Sequence, residues 1–376
     1  MNEVCECKAI NTNKISDIAK LIVFLGILFG CMLWGIIKPD DDISEAERRP
    51  LASKPEVSVE AVWNGRYMRD FEQYAMDQFP MRDGFRSMKA WMDFNAYRMQ
   101  ESNGLYVIDG SIAKLEYKLN EASITHAAER FGYIYDTYLS ANDTKVYVSV
   151  IPDKGYYLAE ESGYPVLDYA LLKDKLMSQM SYAVYIDIAG ALEASDYYRT
   201  DTHWRQERIL GVALILAESM DADISRNYIC EEVGKPFYGV YYGQLALKLE
   251  PDDLYYVESE QLSDAIVYDY ESESYIPMYD MPKAESRDAY ELYLGGPKSL
   301  LRIENPDALT DKRLVVFRDS FASSLAPYLS TGYSEIILVD IRYIQPELLG
   351  QFIEFDGQDV LYLYSGPVLN NSETIK

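Results

Sequence analysis

Residues 313–321 read RLVVFRDSF, and the reading of this stretch decides the fold. Leu314, Val315, Val316 and Phe317 form an unbroken apolar run, the pattern of a strand buried on both faces. The run enters Asp319, Ser320 and Phe321 and then a predicted short helix over 322–329. A serine at a strand-to-helix turn holds its hydroxyl at the edge of the sheet, and the N–H groups that open the helix point toward a developing oxyanion. Acyl transfer needs that geometry. A second reading of the same residues stays open, in which Asp319 or Ser320 only caps the helix, as both residue types commonly do.

Similar β-branched or aromatic runs lie on either side, at 145–151 (KVYVSVI), 183–188 (AVYIDI), 335–339 (EIILV) and 360–364 (VLYLY). Helical spacing of apolar residues falls between them, over 124–139, 168–180, 205–220 and 346–355. This alternation predicts an α/β domain, a mostly parallel sheet covered on both faces, with its site at the carboxyl ends of the strands. The segment 221–305 lacks that rhythm and is rich in Tyr, Asp and Glu. It reads as an insertion of irregular or hairpin structure. No internal repeat is visible.

A serine nucleophile needs a base near neutral pKa, and the base needs a partner that fixes its tautomer. The chain has two histidines, His126 and His203. His203 stands in YYRTDTHWRQE, residues 197–207, two positions after Asp201. That spacing turns both side chains the same way only where the backbone is extended or looped. The competing reading makes Asp201 or Thr202 an N-cap and His203 a packing residue. His126, in SITHAAERF, has no serine or carboxylate motif beside it and reads as structural. Lys154, ending the 145–151 strand in IPDK, reads either as a carboxylate or phosphate ligand or as a surface lysine. Asp319 either braces the nucleophile turn or caps the helix. Tyr242, Gly243 and Gln244 are candidates for a second oxyanion donor, and Trp204 and the insertion tyrosines for stacking on sugar rings, with core packing as the alternative.

The 376 residues carry a formal net charge of -26, from 61 acidic and 35 basic side chains. Acidity spread along the whole chain disfavours nucleic acid and any extended polyanion, but not a neutral glycan or a small acyl donor. Of the four cysteines, Cys5, Cys7 and Cys31 precede or lie within the apolar segment, so Cys230 has no partner for an intramolecular disulfide in the rest of the chain. The Cys5-x-Cys7 pair is too small a ligand set for structural zinc. No Walker loop and no G-x-G-x-x-G after a strand is present, so no metal or other cofactor is expected.

Residues 21–37, LIVFLGILFGCMLWGII, are uncharged, follow Lys8, Lys14 and Lys20, and precede Lys38 and then Asp40, Asp41 and Asp42. Seventeen helical residues rise roughly 26 Å, nearly a hydrocarbon core, and Ile18 and Ala19 lengthen the span. The charge asymmetry predicts a cytoplasmic N-terminus and an extracytoplasmic main domain. No A-x-A-like site marks a cleaved signal peptide. LFGC at 28–31 loosely resembles a lipobox, but the apolar run continues past Cys31. The expected organisation is a cytoplasmic tail over 1–17, a transmembrane anchor over 18–37, a charged, proline-punctuated stalk over 38–62 and the α/β domain over 63–376. Two helices, over 64–79 and 84–99 and separated by Pro80, are expected to pack on that domain.

TDTHW at 200–204, with RDSF at 318–321, resembles the DHHW family of Gram-positive membrane-anchored proteins and the related SGNH hydrolase-like domain of alginate O-acetyltransferases. SEAERRPLASKPEVS, YMRDFEQYAMDQFPMRD, IPDK and FRDSFASSLAPYL look like further blocks of the DHHW family, so the resemblance covers nearly everything after the anchor. It implies an SGNH-like three-layer sandwich and a triad of Ser320 as nucleophile, His203 as base and Asp201 as orienter; the start of the helix after Ser320 adds the Phe321 N–H as an expected oxyanion donor. The implied activity is O-acetyl transfer on a cell-surface or secreted polysaccharide, with acetyl groups delivered by a multi-spanning membrane acyltransferase. A carbohydrate acetylesterase with the same triad, or a non-catalytic glycan-binding or scaffold protein, are the alternatives. Two positions depart from the pattern. Thr202 replaces the first histidine of the DHHW name, as in the acetyltransferases, and Arg318 replaces the glycine of the G-D-S block, which bears on the loop shape and the oxyanion hole.

Overall fold

The apolar runs become strands of one eight-stranded sheet, built from β1 Val146–Ile151, β2 Val184–Tyr185, β3 Ile266–Asp269, β4 Ser274–Ile276, β5 Leu300–Glu304, β6 Arg313–Arg318, β7 Glu335–Val339 and β8 Asp359–Ser365. The helices used below are α1 Asn2–Ile37, α2 Arg66–Asp77, α3 Arg82–Trp91, α4 Glu121–Ile134, α5 Lys154–Ser162, α6 Tyr169–Met177, α7 Leu210–Ser219, α8 Val240–Leu245 and α9 Phe321–Ser330. This computed structural model describes residues 2–376 except 45 and 143, and not the side chains of 2–15, 160 and 161, so the thiols of the Cys5-x-Cys7 pair lie outside what is described. The chain divides into two compact units, Met1–Met92 and Asp93–Lys376.

In the second unit the strand order is β4-β3-β5-β7-β6-β8-β1-β2. β7, β6, β8, β1 and β2 run parallel, with Val315 of β6 beside Ile337 of β7 and Val360 of β8. Successive side chains of a strand face opposite ways. Leu314, Val316, Leu361 and Leu363 therefore pack on one face with Val212 and Leu216 of α7 and Leu325 and Leu329 of α9. Val315, Phe317, Val360 and Tyr362 pack on the other with Ile124 and Phe131 of α4 and Leu172 and Leu176 of α6. The result is the expected α/β architecture, with a large, mostly parallel sheet covered on both faces.

The segment 221–305 departs from the expectation of a simple insertion. It does contain a hairpin, Ile229–Phe237 against Asp252–Glu258. Its later part, however, joins the main sheet as β3, β4 and β5, all antiparallel to their neighbours. These strands lack the continuous apolar run of a doubly covered strand. In β5, Leu301 and Ile303 are buried while Arg302 and Glu304 are only half-buried, and such alternation is weak over so few residues.

In the first unit, α1 contains an apolar stretch, Ser16–Ile37, long enough to cross a membrane. It is compatible with a single-pass anchor or a signal sequence. The two helices expected near 64–79 and 84–99 are α2 and α3 and belong to this unit. Asp77, at the end of α2, binds the strap before it. Arg49 reaches its carboxylate with two nitrogens at 2.9 and 2.6 Å, and the Ala52 N–H donates at 3.0 Å. These partners, Arg49 foremost, hold the Asp77 carboxyl far below the usual range.

At the carboxyl end of β1 the chain turns into α5 through Asp153, whose Oδ1 accepts the Tyr156 N–H at 3.0 Å as an N-cap. Burial raises the Asp153 carboxyl to about 6, against the opposing effect of that N–H. The folded state thus keeps this proton to a higher pH than the unfolded chain. The stabilisation is complete below about pH 4 and is lost as pH rises through about 6. Compared by chemical denaturation, the wild type should lose on the order of 3 kcal/mol relative to Asp153→Asn between pH 4 and 7. A difference that does not vary with pH would refute the assignment.

Candidate active site

The loop 198–203 is shaped by groups that reach it from three directions. From the β1–α5 turn, the buried Lys154 ammonium donates to the Tyr198, Arg199 and Asp201 carbonyls at 2.7, 3.1 and 2.8 Å. From the start of the Asp252–Glu258 strand, the Asp252 carboxylate accepts the Arg199 N–H, the Thr200 N–H and the Thr200 hydroxyl at 2.8, 2.8 and 2.6 Å. From α8, the Tyr241 and Tyr242 N–H groups both donate to the Thr200 carbonyl at 3.1 Å. The Tyr198 N–H closes the loop on the His203 carbonyl at 3.1 Å. This closure delays the helix expected from 205 until Leu210.

Held this way, Asp201 and His203 face each other. The Asp201 Oδ1 lies 2.6 Å from His203 Nδ1 and accepts the His203 N–H at 3.1 Å, while its Oδ2 accepts the Val240 N–H at 2.8 Å. The other ring nitrogen, Nε2, stands 2.7 Å from Ser320 Oγ. Asp201 is buried, the His203 side chain is 13% exposed, and Ser320 is half-buried, so the serine end of the relay is the accessible one. The Tyr290 ring stacks on the imidazole at 3.8 Å between centroids and 8° between planes, and Phe321 tilts against it at 4.9 Å. The Tyr290 hydroxyl is in turn held by Ser324 Oγ at 2.9 Å.

Ser320 lies at the β6–α9 turn, as the sequence predicts. Asp319 braces this turn: its Oδ1 accepts the Phe321 N–H at 3.1 Å and its Oδ2 the Ser365 N–H at 2.8 Å, tying β6 to the end of β8. The Phe321 N–H, expected to point at the oxyanion, is therefore occupied in this structure. The Arg318 side chain is buried, with NH1 donating to Ser323 Oγ at 3.1 Å and NH2 to the Lys298 carbonyl at 3.3 Å. Burial lowers its pKa.

Several sequence expectations are corrected here. Lys154 is neither a surface lysine nor free to bind a substrate anion. Burial brings it down to about 8, against the pull of Asp252, Asp201 and Asp153, and its donors serve loop carbonyls. Trp204 is fully buried, its Nε1 donating to the Phe321 carbonyl and Ser324 Oγ at 3.1 and 2.9 Å, so its ring is not available to a sugar. On α8, Tyr242 is half-buried beside the Tyr238 ring and Gln244 is exposed. His126 bonds Ser372 Oγ at 3.1 Å. Among the described residues no group of three or more His, Cys, Asp or Glu is placed to hold a metal ion.

Four supporting residues escaped the sequence reading. Tyr290 is one of 34 tyrosines, and nothing local marks it. Asp252 is one acid among many. Gln206 was legible only as part of HWRQ; it donates to the Ser324 carbonyl at 2.7 Å and accepts the Val257 N–H at 3.0 Å. Gly239 passes so close to the loop that a Cβ there would lie 2.3 Å from Asp201 Cβ.

The sheet, its two helical layers and the serine at the carboxyl edge define an SGNH-like α/β fold. A DHHW protein family model matches residues 178–339, the stretch that contains Asp201, His203 and Ser320. The chain is similar to a DHHW family protein from Eubacterium siraeum, at 22% identity and a TM-score of 0.59, over 73% of this chain and 95% of that one. It is also similar to Bacillus cereus PatB1, at 15% identity and a TM-score of 0.57, over 72% of this chain and 98% of that one. A looser match, with a TM-score of 0.44 and 15% identity, is to the O-acetyltransferase domain of Pseudomonas putida AlgJ, over 71% of this chain and 92% of that one. Among curated proteins none matches. The resemblance to the DHHW family is thereby borne out.

Two substitutions test how the loop is held. Lys154→Met leaves three loop carbonyls without their donor and should lower stability by about 3 kcal/mol, at about 1 kcal/mol or more for each orphaned group; an unchanged thermal midpoint would count against the clamp. Gly239→Ala drives a methyl into Asp201 and should lower stability by about 2 kcal/mol, whereas Ala at the open Gly132 should not.

Proposed function

We propose that this chain is an extracytoplasmic acyl-transfer enzyme, an O-acetyltransferase acting on a cell-surface or secreted polysaccharide, with Ser320, His203 and Asp201 as its triad. The observation that carries the reading is the continuous relay from Asp201 through His203 to Ser320, at 2.6 and 2.7 Å. With Nδ1–H held by the carboxylate, Nε2 is the basic nitrogen and faces the hydroxyl. Ser320 Oγ attacks the acetyl carbonyl as Nε2 takes its proton, and Asp201 stabilises the imidazolium. Collapse of the tetrahedral intermediate expels the donor's alcohol, which takes the proton back from Nε2 and leaves acetyl on Ser320. A sugar hydroxyl then gives its proton to Nε2 and attacks the acyl-enzyme; as the acyl–Ser320 bond breaks, Nε2 returns that proton to Ser320 Oγ and the acetyl group leaves on the sugar.

We assign the oxyanion to the Ser320 N–H, which makes no hydrogen bond among the described residues, in place of the occupied Phe321 N–H. A backbone donor at a helix start favours the developing charge. The formal charge of -26 supports a neutral glycan as acceptor. An acetyl donor presented by a multi-spanning membrane acyltransferase fits an anchored enzyme, because acetyl-coenzyme A is not expected outside the cell membrane. The lysines before the apolar helix and the aspartates after it support an outward-facing main domain.

Acetyl release from an activated acetyl ester, and transfer from it to a neutral oligosaccharide, should both fall by about 10³-fold or more in Ser320→Ala and His203→Ala, and somewhat less in Asp201→Asn. A Ser320→Ala protein that still transfers acetyl at the wild-type rate would end the proposal.

A further inference from the structure

The first unit carries an apolar surface that acyl transfer does not use. α2 and α3 are amphipathic at helical spacing. On α2, Tyr67, Phe71, Tyr74 and Ala75 share one arc, opposite Arg69, Glu72 and Gln73. On α3, Phe85, Met88 and Trp91 share an arc, with Arg82 and Lys89 flanking it beside Phe85 and Arg86 on the far side. Much of this apolar face is open: Phe71 is 40% exposed, Met88 53% and Trp91 57%. Large apolar side chains exposed together along a helix face mark an interaction surface.

The geometry within the unit says what covers it. A groove of about 840 Å³ runs between α1 and the helical pair, with Phe24, Leu28 and Met32 of α1 on one wall and Phe71, Phe79 and Phe85 on the other. Phe24 and Gly35 both line it and are separated by roughly 16 Å of helix, about half of a hydrocarbon core. Its charged lining residues include Lys38 and Asp40, which belong to the end where α1 stops. The pair is tied to that end. The Gln78 side chain accepts the Asp41 N–H and donates to the Asp41 carbonyl, both at 2.9 Å, and the Tyr74 hydroxyl donates to Asp40 at 2.8 Å. Pro80 lies 3.6 Å from where a Gly35 Cβ would stand.

We propose that α2 and α3 lie in the membrane interface beside the span, with their aromatic and methionine face among lipid acyl chains and the groove filled by lipid. Aromatic and methionine side chains on one side with Arg and Lys beyond them, as on α3, and an aromatic arc backed by charged residues, as on α2, are the chemistry of interfacial helices. The proposal rests on α1 being a membrane span, the same reading that underlies the extracytoplasmic placement.

The test uses the full-length chain in phosphatidylcholine vesicles, with and without brominated acyl chains as fluorescence quenchers. The baseline variant replaces Trp34, Trp63 and Trp91 by Phe and keeps only Trp204, which is fully buried; the other three are 54%, 92% and 57% exposed, so the fold tolerates their replacement. Trp34 or Trp91 is then restored singly. The emission added by each should fall about twofold or more in brominated vesicles, while the Trp204 baseline holds. Quenching of Trp34 without Trp91 would overturn the interfacial proposal and leave the span intact. Quenching of neither would remove both.

Discussion

A buried lysine ammonium sets the shape on which the candidate site depends. Lys154 gathers the Tyr198, Arg199 and Asp201 carbonyls around one charge. A buried cation requires such compensation, and these carbonyls in turn have no reason to converge without it. Their convergence folds the segment before His203 back on itself. The Asp252 carboxylate completes the arrangement by taking the N–H groups that alternate with those carbonyls. The loop is thus pinned between a cation on one side and an anion on the other, and Asp201 emerges with its carboxylate already aimed.

The serine side is built on a different principle. Asp319 ties the β6–α9 turn to the end of β8, so Ser320 is fixed by the sheet rather than by the loop. Trp204 and Gln206 then join the two halves through Ser324 and the Phe321 carbonyl. A relay with contacts of 2.6 and 2.7 Å tolerates little relative movement of its parts, and displacements of about 1 Å are enough to impair such sites. The stacked Tyr290 adds the remaining restraint, preventing the imidazole from turning about its bond. Tyr290 comes from the segment that reads as an insertion, as does the α8 that braces Asp201, so that segment is part of the site's frame.

The first unit follows other rules. Its apolar residues do not converge on a closed core; many line α1 or the outer faces of α2 and α3 and remain exposed. What orders it is polar: Asp77 and Gln78 fasten the strap before them with ionic and backbone hydrogen bonds. A segment held together by its polar groups and apolar on its outside suits the interfacial placement proposed above.

Much of this was legible in the residues. Continuous apolar runs such as VYVSVI and LVVF can be satisfied only by strands covered on both faces, so the sequence alone determined the parallel sheet and its flanking helices. RDSF after such a run set the serine at the carboxyl edge, and a D-x-H spacing with a second histidine far away left one candidate base. Period and local chemistry carry that information. The antiparallel strands β3 to β5 were not legible, because half-polar edge strands resemble loops. Nor were the roles of Lys154, Asp252, Gly239 and Tyr290, whose identities become meaningful only beside partners roughly forty to ninety residues away. Tertiary structure decided those, because a buried charge, a missing Cβ or a stacked ring acquires its function from what it touches in space and leaves no periodic trace along the chain.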